Sequence, residues 1–208
     1  MRVEPSFLWV IQCLELYGIL LGMPESFSQP TTARLFLDTE FTGFTNSQLL
    51  SLALVRDESC DFYGELHIPQ SAREKNAFVE AHVLSQWGKA PTAFENTGAM
   101  ALALSNWLSS LNAERIEVHY DYHTDMDLME RLLVESTLWH VWEKILIPTH
   151  IGYLYGDERL NQFMDSRWSE EELKTGLKAH HALSDARVLR KAFLMVHDGA
   201  GEIGRAHV

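Results

Sequence analysis

The stretch Arg34-Leu35-Phe36-Leu37-Asp38-Thr39-Glu40-Phe41 decides how the rest of the chain is read. Its first four residues form a mostly apolar run of the kind that fills a buried strand, and two carboxylates follow at once. Side chains alternate across a strand, so Asp38 and Glu40 project from one face into one pocket. Two like charges that close repel each other, and one would take up a proton unless a cation sat between them. A strand end with two solvated acids would look the same in isolation, so the meaning of this pair depends on its partners elsewhere. Thr42-Gly43 then turns the chain, and the glycine lets backbone come close to a ligand.

Two later acidic stretches supply those partners. At YHTDMDLMERLL, 122–133, Asp125 and Asp127 compete for one role with Asp121 just before the stretch. Counted from Asp125, apolar residues fall at Leu128, Met129, Leu132 and Leu133, the buried stripe of an amphipathic helix, which sets Asp125 at the helix start on its core-facing side. Counted from Asp127, the same offsets meet Glu130 and Arg131, a solvated face. Asp121, at the end of the strand Ile116 to Tyr120, stays a further candidate. In HHALSDAR at 180–187, His180 precedes Asp185 by five residues, about 1.4 helical turns, at the start of a helix that runs to Met195. A histidine on the preceding loop can lean over the site while Asp185 faces it, and the adjacent His181 is chemically equivalent. Four carboxylates and a histidine in these contexts suit metal-dependent phosphodiester hydrolysis, in which oxygen ligands hold a pair of divalent cations about 4 Å apart.

With these residues in view the chain resembles the DEDDh exonucleases, the superfamily of RNase T, oligoribonuclease and the proofreading subunit of bacterial replicative polymerase. FLDTEF at 36–41, FVEAHVL at 78–84 and HHALSDAR are similar to a small single-domain bacterial group of 3′-to-5′ exoribonucleases first described from mycobacteria. The similarity covers residues 34 to 195, with the motifs strong and the intervening chain weak. It implies an α/β, RNase H-like fold with a mixed central sheet flanked by helices. It also implies 3′-to-5′ hydrolysis of RNA or short oligonucleotides, two Mg²⁺ or Mn²⁺ ions per active site, a nucleic-acid partner and a homodimer. Carried over, Asp38, Glu40, Asp125 and Asp185 are metal ligands and His180 is the general base, with Asp38 bridging both ions. An imidazole of ordinary pKa about 6.5 can take a proton from water at working pH. By the same resemblance Phe41, Thr42 and Phe44 receive the terminal nucleotide, a phenylalanine stacking on its base. A sister branch replaces the histidine motif with Y-x-x-x-D, and Tyr153 with Asp157 matches it. Gly156 weakens any helix there, and residues 150–156 read better as a strand, so the histidine branch is favoured.

Composition fits a compact soluble enzyme. The 208 residues, 46% hydrophobic, are enough for one substantial core. Two cysteines, Cys13 and Cys60, without C-x-x-C spacing argue against a disulfide framework or zinc ribbon and fit a reducing cytoplasm. A net charge of −12 opposes a processive grip on long strands and favours short oligonucleotides or the last 3′ nucleotides. Arg187, Arg190 and Lys191 either touch phosphates or form a solvated helix face. Residues 1–33 are an N-terminal extension whose apolar part, Phe7 to Leu21, is interrupted by Gln12 and Glu15 and too short to span a membrane. Met23 is an alternative start, residues 34–198 form the catalytic domain, and residues 199–208 are a flexible tail.

From Arg34 the expected order is three strands, a helix, a strand, helices, a strand and a last helix. Leu49 to Arg56 and Asp61 to Ile68 are expected to pair as a hairpin over residues 57–59, Met100 to Leu111 to form a helix, and Ser169 to Glu172 to form a capping box. Two other functions compete: a DNA-directed 3′ exonuclease using the same residues, and a catalytically silent binding module. A missing carboxylate would mark the silent module, and all five candidate positions are filled.

Overall fold

A computed structural model describes residues 31–56, 61–67, 77–90 and 92–197, of which those from Thr32 onward belong to one compact unit. The N-terminal extension, the tail beyond residue 197 and the expected hairpin loop at 57–59 lie outside the described residues.

The apolar run forms strand β1, Thr32–Phe41, and it is central. Strand β2, Leu49–Val55, pairs with it antiparallel, and β3, Asp61–Leu66, pairs antiparallel with β2. A two-residue strand β4, Ala93–Phe94, which alternation over so short a span does not reveal, adds parallel to β3. Across β1 lie β5, Arg115–Tyr120, and β6, Leu146–His150, both parallel. The order β4-β3-β2-β1-β5-β6 is the mixed sheet of the RNase H-like α/β fold.

Period two in β1 divides the molecule into layers. Ala33, Leu35 and Leu37 face a core built with helix α1, Thr97–Ser110, and helix α2, His123–Glu135. Trp142 of the short helix α3, Trp139–Trp142, closes this layer and donates its indole N–H to Ser105 Oγ at 2.9 Å, so the buried polar atom is satisfied. Phe36 points the other way, into a cluster with helix α4, Glu158–Thr175, and helix α5, Ala182–His197. Asp38 and Glu40 share the Phe36 side by the same alternation, whereas Thr39 shares the side of α2.

Pairing of β1 with β5 ends at Phe36 opposite His119, yet β1 runs on to Phe41. Its acidic end therefore projects into the crevice beyond the carboxyl ends of parallel strands, the place where open α/β sheets bind ligands. A register shift against β2 between Glu40 and Phe41 re-aims the strand's last side chain.

Three expectations are corrected. Residues 152–156 form a 3₁₀ turn after β6 rather than a strand. Ser169 is no cap: α4 runs through it, its hydroxyl donates to the Asp165 carbonyl, and the helix begins at Asp157, whose carboxylate accepts from the N–H groups of Arg159 and Leu160. Arg187 and Lys191 neither form a freely solvated face nor enter the acidic crevice. Arg187 pairs with Asp61, and both reach Glu171, which is only 3% exposed. Leu104, fully buried on α1, anchors the first layer. Leu104→Ala is expected to cost about 2–5 kcal/mol by transfer and cavity terms, read as a fall in denaturant midpoint at unchanged slope.

Candidate active site

The acidic end of β1 opens into a cleft of about 810 Å³ whose lining includes Asp38, Glu40, Asp121, Asp125, His180 and Asp185. Each reaches it from a different local cause. Asp125 sits in the first turn of α2, is 2% exposed, and accepts both the backbone N–H of Thr39 at 3.2 Å and its hydroxyl at 2.7 Å on Oδ1. Thr39, on the opposite side of β1 from its acidic neighbours, thus ties α2 to the strand. Asp185, in the first turn of α5, accepts the indole N–H of Trp168 on Oδ1 at 2.7 Å and the backbone N–H of His180 on Oδ2 at 2.9 Å. His180 holds a left-handed backbone, φ 64°, at a cost of roughly 1–3 kcal/mol for a non-glycine residue.

The alternatives left open in the sequence separate in space. Asp127 is exposed and is not a lining residue, whereas Asp121 and Asp125 both line the cleft. His181 turns inward, 3% exposed and stacked on Tyr63 at 4.9 Å, and burial pushes its imidazole down to about 4. Tyr153 bonds His197 and Asp157 caps α4, so neither residue of the Y-x-x-x-D match lines the cleft. Phe41 and Phe44 line it, but Thr42 does not; its hydroxyl accepts from the Gln48 N–H and helps close the turn that carries Phe44. Arg131 of α2, donating to the Ser47 carbonyl, and Ser47, donating to Gly43, hold that turn in place. Tyr122, Tyr155, Phe78 and Trp168 also line the cleft. Tyr155 was not singled out because nothing local in a Gly-flanked turn signals its partner, and Trp168 was missed although it continues the apolar face Leu160, Met164, Trp168 of α4.

Six groups fall into two triads. Single ligand atoms of Asp38, Asp121 and Asp125 lie within 4.8 Å of one another, and so do those of Glu40, His180 and Asp185. Burial, then Asp185 and Asp125, pushes Glu40 up to about 9. Burial likewise raises Asp125 to about 8 against the bonds from Thr39, and Asp185 to about 7 against those from Trp168 and His180. Asp38 is also held well above the usual carboxylate range, first by burial and then by Asp185, Asp125, Glu40 and Asp121. Its Oδ2 is buried without a hydrogen-bond partner among the described residues. Such an array is disfavoured as anions alone, and divalent cations are the counter-charge that five carboxylates beside one imidazole suit.

Comparison with known proteins adds little to this geometry. No family model and no curated protein matches the sequence. Among solved structures, the crystal structure of cell-death related nuclease 4 (CRN-4) aligns with 82% of this chain at 14% identity and a TM-score of 0.45. The alignment takes in 65% of that chain. Functional conclusions therefore rest on the cleft.

The cluster's titration has a sign that can be checked. Carboxyls raised in the folded chain contribute stability that is complete below their unfolded value, about 4, and that is lost as pH rises through about 7, 8 and 9 for Asp185, Asp125 and Glu40. The chelator-treated protein is expected to melt at progressively lower temperature from about pH 5 to 9. Added Mg²⁺ or Mn²⁺ should raise the melting temperature most at the alkaline end. A flat profile without a metal effect would contradict this.

Proposed function

We propose that this protein is a metal-dependent 3′-to-5′ exonuclease that hydrolyses phosphodiester bonds at the 3′ end of RNA or short oligonucleotides, in the manner of the single-domain mycobacterial-type DEDDh exoribonucleases. The observation that supports this most is the pair of triads at one cleft, with a buried Asp38 oxygen that no donor among the described residues satisfies. Asp38, Glu40, Asp125 and Asp185 would hold two Mg²⁺ or Mn²⁺ ions. Divalent cations bound there supply activation of the attacking water and neutralise charge on the phosphate.

The chain's own groups account for the remaining steps. His180 is the general base. Burial, then the nearby His82, lowers its pKa, so the imidazole is neutral at pH 7 and able to accept the proton of the attacking water. Its backbone N–H is held by Asp185, so the loop that presents the ring is tethered to a ligand of the same site. Trp168 orients that carboxylate from its other oxygen.

The rim of the cleft has the chemistry to receive a nucleobase. Phe44 is 75% exposed and makes edge contacts with Phe41 at 5.5 Å and with Tyr122 at 5.7 Å, while Phe78 lies across His180 at 4.9 Å. Exposed aromatic faces of this kind stack on bases without demanding a sequence. With a net charge of −12, binding relies on the cleft and its ions rather than a basic track, which suits short strands or the last few 3′ nucleotides. A homodimer is the assembly that the resemblance implies, and the two cysteines without C-x-x-C spacing fit a reducing cytoplasm. Among the described residues no helix is long and apolar enough to cross a membrane.

Matched 5′-labelled RNA and DNA oligomers test the reading. A ladder shortening from the 3′ end is expected with Mg²⁺ or Mn²⁺, faster on RNA, and none with chelator or with Asp38→Ala. His180→Ala should lower kcat by about 10²–10⁴-fold. Metal-independent cleavage, internal cutting, or full activity of His180→Ala would overturn the reading, and a preference for DNA would move the substrate assignment.

A further inference from the structure

We propose that Asp121 is a fifth metal-binding carboxylate, which with Asp38 and Asp125 builds a three-carboxylate pocket filled before any nucleic acid binds, and that Tyr155 is its positioning residue. The inference rests on the metal-dependent reading above and deepens it.

Its geometry is independent of the motifs. Asp121 follows the last residue of β5 and shares with Asp38 and Asp125 the set of oxygens within 4.8 Å. The buried, unpartnered Oδ2 of Asp38 belongs to this same triad. Both ends of Asp121 have a close neighbour. Its carbonyl accepts from the His150 ring at 3.0 Å, provided Nε2 carries the proton, and Tyr155 lines the same cleft, its phenol pushed up first by burial and then by the nearby Asp121 carboxylate. The 3₁₀ turn carrying Tyr155 comes this close because it opens on Gly152, where a Cβ would sit 2.7 Å from His150 Nε2 and 2.8 Å from the Asp121 carbonyl. A side chain merely solvated at a strand end has no need of such support. A phenol can donate one hydrogen bond to one carboxylate oxygen and leave the other for a cation.

The third carboxylate changes what this pocket can do alone. Two carboxylates already balance a divalent ion's charge, so the third adds a further protein oxygen and surplus negative charge that hold the ion before a substrate phosphate arrives. Calorimetric titration of the metal-stripped full chain with Mn²⁺, without nucleic acid, tests this apart from activity. Two ions are expected to bind the wild type. Asp121→Asn should weaken one of them by at least about tenfold, and Tyr155→Phe should weaken the same ion by up to about tenfold. Asp127→Asn, on the exposed face of α2, should match the wild type. Circular dichroism establishes that each variant folds, and if Asp121→Asn does not, Tyr155→Phe decides. Wild-type affinity for both ions in a folded Asp121→Asn, or in Tyr155→Phe when it must decide, overturns this inference and leaves the exonuclease reading standing. Failure of the wild type to bind Mn²⁺ overturns both.

Discussion

Burying like charges together is the constraint on which the rest of this molecule depends. Asp38, Glu40, Asp125 and Asp185 are all withdrawn from water far enough that their carboxyls resist ionisation; Asp185 and Asp125 further raise Asp38 and Glu40, and Asp121 raises Asp38, Asp125 and Asp185. A fold tolerates such an arrangement only if the surrounding structure over-determines it. The core in this chain does so from both sides of one strand. Leu35 and Leu37 lock β1 against α1 and α2, Phe36 locks it against α4 and α5, and the residues that follow have no freedom to turn their carboxylates outward.

The helices then deliver the remaining ligands by hydrogen bonds rather than by proximity alone. Thr39 bonds Asp125 from the strand, and Trp168 and the His180 backbone grip the two oxygens of Asp185. These bonds favour the ionised carboxylates and partly offset burial, so the site stands ready for cations while resisting collapse without them. The turn at 42–48 and the 3₁₀ turn at 152–156 add aromatic and phenolic groups around a centre that the sheet has already placed.

Much of this was legible in the chain because it rests on short-range periodicity. Alternation through residues 34–40 put both carboxylates of β1 on one face, and the apolar stripe Leu128, Met129, Leu132 and Leu133 pointed Asp125 inward, as the structure has it. The hidden parts depend on approach between distant segments. Asp121 and Asp125 were read as rivals, since a linear pattern offers no reason for a strand end and the next helix to converge on one pocket; in space both line it. Tyr155 enters only through the parallel pairing of β6 with β5 and the close packing at Gly152. Trp168 enters only through the crossing of α4 on α5. Ser169 mimicked a helix start because a Ser-x-x-Glu spacing recurs within helices, while the real cap, Asp157, lay just beyond the segment 150–156 that read as a strand.

The central claim is that the two triads are cation sites sharing one cleft. Anomalous diffraction from crystals grown with Mn²⁺ measures this directly. Two peaks about 4 Å apart, one against Asp38, Asp121 and Asp125 and the other against Glu40 and Asp185, are the predicted result. A cleft without anomalous density at saturating Mn²⁺, or a single peak held by groups outside these triads, would contradict it.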